Sequence, residues 1–207
     1  ESGIRVADEL GGEFKKLDLS NIDSIPERLD ADILMNVAGL QHVSPVQDFD
    51  TKKFQMMINI MLIAPFALSK AVLPGMYEKG WGRIVNISSV HGVSASPFKS
   101  AYISAKHGLE GLSKTIAREG ATRGVTSNTI GASYVRTPLV ENQIADQAKT
   151  HGITEAEVLE KVLLADQDIK RLLEPAEVAE MAYYLCTEMA TGITGAHVAM
   201  DGGRGAR

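Results

Sequence analysis

Apolar residues in this chain fall into short unbroken runs separated by longer stretches where they recur every three or four positions. The first pattern reads as buried strands and the second as amphipathic helices. Residues 4–10 carry the end of a helix stopped by Gly11-Gly12, and Glu13–Leu19 reads as a short strand. Asp32–Asn36 is a brief apolar run ahead of Ala38-Gly39, as expected of a parallel strand. Asp50 is placed to cap a helix running toward Pro74, with a kink expected at Pro65. From Met56 to Phe66 this helix is apolar nearly all round, which predicts burial against another helix or subunit. Gly82–Ser89 is the next strand, followed by a helix bearing Tyr102 and Lys106, then a strand at Val125–Ile130. Residues 138–173 show two amphipathic helical patterns, the second opened by Thr154 and Glu157 as a capping box. Pro175 starts a helix reaching about Ala190, and Ala196–Asp201 is the last strand.

Repeated strand–helix units imply an α/β fold: a doubly wound, Rossmann-like parallel sheet with helices on both faces. Ligands of such sheets bind at the carboxyl ends of the strands. Asn36–Gly39, Ser88-Ser89 and Ile130–Ser133 fall there. The 207 residues suit one domain over 1–207, with the helices of 138–173 as a lid over the substrate.

Composition narrows the function. Apolar residues make up 44% and charged residues 23%, ordinary for a globular chain. The net charge of −5 argues against nucleic acid as a partner. One cysteine, Cys186, allows no internal disulfide and points to a reducing, cytoplasmic setting. The longest nearly unbroken apolar run, Met56–Phe66, is 11 residues, short of a bilayer span, so no membrane partner is expected. No residues show metal-ligand spacing, and His42, His107, His151 and His197 read as structural or exposed.

The candidate chemistry centres on Tyr102 and Lys106. Four residues apart on a helix, they share a face, beside the small Ala101, Ser104, Ala105 and Gly108. Tyrosine ionises near pH 10, so a base role at neutral pH needs a nearby cation, which Lys106 supplies. Ser89, at the end of the preceding strand, can hold a substrate carbonyl while Tyr102 exchanges a proton with its oxygen.

Asn36-Val37-Ala38-Gly39, Ser89, Tyr102, Lys106 and the Asp201-Gly202-Gly203 ending resemble the short-chain dehydrogenase/reductase family over essentially the whole chain. The stretches 39–46, 90–102 and 137–144 are similar to bacterial D-3-hydroxybutyrate dehydrogenases. The resemblance implies Tyr102 as general acid/base, Lys106 lowering its pKa and holding the nicotinamide ribose, and Ser89 orienting the carbonyl. It implies NAD as cofactor, with binding positions at Asp18, Asn36, Ala38, Gly39, Tyr102, Lys106, Val135 and Thr137. It places a hydroxy-acid carboxylate against Gln41, His91, Lys99 and Gln143, with Tyr134 walling the pocket, and it implies a homotetramer. Donor groups and a lysine opposite a carboxylate also make chemical sense by themselves.

Several positions depart from the family. Val37, Ala132-Ser133 and Arg204 replace its usual residues, and Met61 falls where it carries a catalytic Asn. Asn59, two residues earlier, is about 200° around a regular helix and faces away unless a bulge intervenes. The family's opening β-α-β unit with its Gly-rich turn is not in these 207 residues, so the sequence reads as incomplete. Two other readings stay open: a reductase of another carbonyl substrate, such as a 3-oxoacyl thioester or sugar, and a catalytically silent relative that binds nucleotide or assembles with active subunits.

Overall fold

The computed structural model describes residues 2–138, 140–142, 144, 148 and 152–206. Four parallel strands form one sheet in the order β1 (Ile33–Asn36), β2 (Gly82–Ile87), β3 (Val125–Ala132), β4 (His197–Met200). Side chains alternate across a strand, and β2 shows the result. Ile84 points into a cluster with Val72, Met76, Ile116 and Val125, while Val85 packs on Ala182 and Leu185 from the opposite face. Helices α2 (Thr51–Lys79) and α3 (Ser100–Gly120) cover the first face. Helix α5 (Pro175–Cys186), which follows the short α4 (Glu155–Val158), covers the second. The doubly wound α/β arrangement expected from the sequence is the observed one.

β3 is buried along its whole length although it reads Val-Thr-Ser-Asn-Thr-Ile-Gly-Ala. Three successive polar side chains of the strand are tolerated there because they are paired. Ser127 bonds Ser113 at 2.9 Å, Asn128 donates to the Ile193 carbonyl at 2.8 Å, and Thr129 donates to Glu110 at 2.7 Å.

Four expectations need correction. Residues 13–18 are an exposed stretch outside any strand; ladder hydrogen bonds define a strand, and none forms there. The preceding α1 (Ser2–Leu10) is present. Second, α2 does not stop at Pro74 but runs to Lys79, and a π-helical turn spans Asn59–Ile63, just ahead of Pro65. Proline lacks the N–H that a regular helix needs from position 65, and the wider turn precedes it. Third, the helix from Pro175 ends at Cys186, with a separate 3-10 turn at Glu188–Ala190. Fourth, the bilayer argument rested on an 11-residue run, but α2 is a continuous 29-residue helix with mean hydropathy 1.8 in its most apolar window. By length and composition alone it could cross a membrane. Its composition has another cause: it packs on the sheet through Val72 and Met76 and on α3 through Met57 and Met61.

The expected lid falls partly outside the described residues. Within them, Val140, Ile144 and Ala148 pack with Tyr134, Val158, Leu163, Leu164 and Leu172 into a cluster separate from the sheet core. The capping box is present: Thr154 Oγ1 accepts from Glu157 N at 3.2 Å, and Glu157 accepts from Thr154 N at 3.0 Å.

Candidate active site

A cavity of about 540 Å³ opens at the carboxyl ends of the strands. Ser89 reaches it as the last residue before the 3-10 turn Val90–Gly92, whose start it caps by accepting from His91 N at 3.2 Å. Tyr102 and Lys106 reach it from the first two turns of α3. Ala101 and Ala105 on the same helix are fully buried against Met57 and Met61 of α2. Small residues let α2 approach there, and the approach fixes the rotation of α3 that aims the tyrosine and lysine into the cavity.

Lys106 is buried and donates to the Ile87 carbonyl at 2.6 Å; its ammonium lies 5.7 Å from the centre of the Tyr102 ring. Burial lowers its pKa to about 8, and Glu110, one turn along, acts to raise it. Tyr102 is held above its usual value, chiefly by burial of the phenol, with a hydrogen bond to Ser89 opposing. The lowering expected from Lys106 is not among these influences: Ser89 is what lowers the pKa, and desolvation of the phenolate outweighs it.

Gln41, His91, Lys99 and Tyr134 line the same cavity, while Gln143 lies outside the described residues. His91 is buried, with Ser96 Oγ 3.0 Å from Nε2 and no partner on Nδ1; Gln41 Oε1 is likewise buried and unpartnered. Two orphaned polar atoms in one cavity suit a ligand that completes them. Phe98, just before Lys99, adopts φ 68, the one non-glycine residue at positive φ among those described. A strained backbone at that point sets where Lys99 enters the wall.

The expected cofactor positions divide. Gly39, Val135 and Thr137 line the large cavity. Asn36 and Ala38 line a smaller one of about 210 Å³ that shares Met35, Val37, Ile87 and Lys106 with it. Asn36 Nδ2 is bonded to Asn86 Oδ1 at 2.8 Å. Asp18 lines neither: it is exposed and accepts from the Ser20 hydroxyl at 2.7 Å and the Ser20 amide at 3.0 Å. The π turn does not bring Asn59 to the site either, since its Nδ2 donates to the Ser20 carbonyl at 3.0 Å. Met61 is buried instead, its Sδ 4.0 Å from where a Cβ on Gly39 would sit.

Two groups escaped the sequence reading. Arg204 lines the cavity, although it stood out in sequence only as a departure from the family. Glu110, on α3, is buried and meets three partners: Ser88, just past β2, donates to Oε1 at 2.5 Å, Thr129 on β3 donates to Oε2 at 2.7 Å, and His197 Nδ1 on β4 lies 3.0 Å from Oε1. A glutamate four residues after Lys106, on the face that carries Lys106, was the available signal.

Comparison with known proteins bears on this geometry. The family model described as enoyl-(acyl carrier protein) reductase matches residues 5–204, and the chain belongs to the short-chain dehydrogenase/reductase family. It is 51% identical over 173 residues to the D-beta-hydroxybutyrate dehydrogenase of Rhizobium meliloti (strain 1021), covering 84% of this chain and 67% of that protein. Identity to the D-beta-hydroxybutyrate dehydrogenase of Cupriavidus necator is 42% over 173 residues, again 84% of this chain and 67% of that protein. A solved structure described as a 4-hydroxyisoleucine dehydrogenase mutant complexed with NADH and succinate superposes with TM-score 0.86 at 30% identity, covering 99% of this chain and 84% of that one.

Proposed function

We propose that the chain is an NAD-dependent oxidoreductase that interconverts a short 3-hydroxy acid and its 3-keto acid, with D-3-hydroxybutyrate and acetoacetate as the reference pair. The observation that carries this reading is the convergence of Ser89, Tyr102 and Lys106 on a cavity whose wall also holds Lys99, Gln41 and His91. The names of the two hydroxybutyrate dehydrogenases and of the NADH-bound structure point the same way.

The residues present fit a nicotinamide group. Ile87, Ala132, Val135 and Val178 offer an apolar surface for a flat ring, Lys106 offers a buried ammonium to a ribose, and the Gly39 backbone is open to close approach. When bound, NAD supplies the acceptor or donor of the hydride at C3 of the acid. Ser89 Oγ holds the C3 oxygen by a hydrogen bond, and Tyr102 Oη exchanges the proton with it. In keto-acid reduction Tyr102 gives its proton to that oxygen, a role that burial favours by keeping the phenol protonated. In hydroxy-acid oxidation Tyr102 must accept it and so starts as the phenolate, which the Lys106 ammonium supports. Lys99 faces the carboxylate, with neutral donors at Gln41 and His91 completing its shell.

Tyr102→Phe tests this reading. It should lower turnover of D-3-hydroxybutyrate with NAD by about 10²–10⁴-fold while leaving NADH binding, read by fluorescence, in place. Near-normal turnover in the variant overturns it. Met61 supports a second reading, the catalytically silent relative, because a thioether replaces the amide of the family's fourth catalytic position. Absence of turnover in the unmodified protein, with NADH still bound, would favour that one. A cytoplasmic homotetramer belongs to the same proposal, supported by the single free Cys186 and by exposed aromatic and apolar side chains at Phe66, Tyr183, Tyr184 and Met189.

A further inference from the structure

The cavity holds a second cation that a simple hydroxy acid leaves unused. Arg204, on the 3-10 turn Arg204–Ala206, lines the cavity together with Lys99, His91 and Tyr134. Its side chain is only 18% exposed, yet its ion pair is a loose one: Nη2 lies 3.5 Å from Oδ2 of Asp166, whose side chain is 68% exposed. Contacts of that kind hold a side chain weakly. Lys99, half-buried, has no carboxylate at ion-pair distance among the described residues. The positive charge of Arg204 adds to burial in lowering the pKa of Lys99, so the two cations feel each other across the pocket.

Two positive charges beside apolar walls at Val135 and Val140 repel each other and give up water. One carboxylate answers one of them. A guanidinium presents a planar pair of donors that matches a carboxylate edge to edge, which a tryptophan or leucine at this place could not do. We propose that the pocket selects 3-hydroxy acids bearing a second carboxylate, with Lys99 facing one carboxylate and Arg204 the other. This rests on the hydroxy-acid reading and narrows its substrate class to dicarboxylic acids. The cavity volume of about 540 Å³ leaves ample room for a five-carbon diacid beside a nicotinamide.

The test reads binding without turnover, so it is decided separately from the hydride-transfer proposal. Calorimetric titration with glutarate and with butyrate should show glutarate binding about tenfold tighter or better, the scale of one added half-buried ion pair. Arg204→Leu should bring the two affinities within about threefold of each other, and Arg204→Lys should keep part of the preference. In the unmodified protein, raising salt should weaken glutarate more steeply than butyrate, a readout that survives if the variants do not fold. Glutarate binding no tighter than butyrate in the unmodified protein, failure of both to bind included, overturns the proposal. So does an unchanged preference in Arg204→Leu. Where turnover is measurable, kcat/KM for 3-hydroxyglutarate over 3-hydroxybutyrate should follow the same order.

Discussion

His91 stays neutral where free histidine begins to charge. Burial, with smaller contributions from the positive fields of Lys99, Arg204 and His107, lowers its pKa to about 4. Between about pH 6.5 and 4 the unfolded chain binds a proton at this residue that the folded chain refuses, so stability falls as the pH drops through that window. The loss by pH 4 should be about 2–3 kcal/mol. Denaturant titrations at pH 7 and pH 4 measure it, and His91→Asn should lose that part of the slope. Glu110 acts one residue further back, as a positioning group for Lys106. The titratable groups facing its carboxyl among the described residues are Lys106 on its own helix and His197 on β4, while Ser88, just past β2, and Thr129 on β3 present hydroxyls. Glu110→Gln keeps hydrogen-bonding atoms but removes the charge that raises the Lys106 pKa. The Lys106 titration, read by NMR of ¹³C-labelled lysine and assigned with Lys106→Arg, should then move to a midpoint below about 8. An unchanged midpoint would make Glu110 purely structural.

Between elements, the tightest steric demand falls on the turn from α3 into β3. Gly124 has φ +71, and a Cβ there would lie 2.0 Å from the Gly80 carbonyl oxygen. Its own carbonyl accepts from Gly82 N at 3.3 Å and from Arg83 Nη1 at 3.2 Å, so the loop cannot move away without releasing the start of β2. Gly124→Ala should destabilise by about 2–4 kcal/mol in a denaturant midpoint. Gly111→Ala is the control: it sits on the exposed face of α3 with nothing within 4 Å of the added carbon. It should stabilise by about 0.5–1 kcal/mol, the ordinary helix preference for alanine.

At the scale of the whole molecule, α2, α5 and the 3-10 turn after α5 leave apolar side chains in water. Phe66 is 50% exposed, and Tyr183 and Met189 are 68% and 81% exposed. Neighbouring copies would cover such faces, and the proposed tetramer gives them that role. Light scattering should return about four times the chain mass; a monomer at micromolar concentration would overturn the assembly.

The strand–helix alternation, the apolar β1 and β2, the cap at Asp50 and the box at Thr154 were legible in the residues, because backbone pattern and local hydrogen bonding are short-range properties. So were Ser89, Tyr102 and Lys106, whose spacing on one strand–loop–helix unit puts them together before any distant contact forms. Local pattern misjudged residues 13–18, since extended propensity makes a strand only where another chain segment offers a ladder. It placed the strand at Val125–Ile130 but passed over Glu110, whose role shows only when Thr129 and His197 are brought beside it. Whether Lys106 lowers the Tyr102 pKa, and whether Arg204 faces solvent or the cavity, depended on burial and on charges far apart in the chain. Those are set by packing in three dimensions, which no spacing along the sequence encodes.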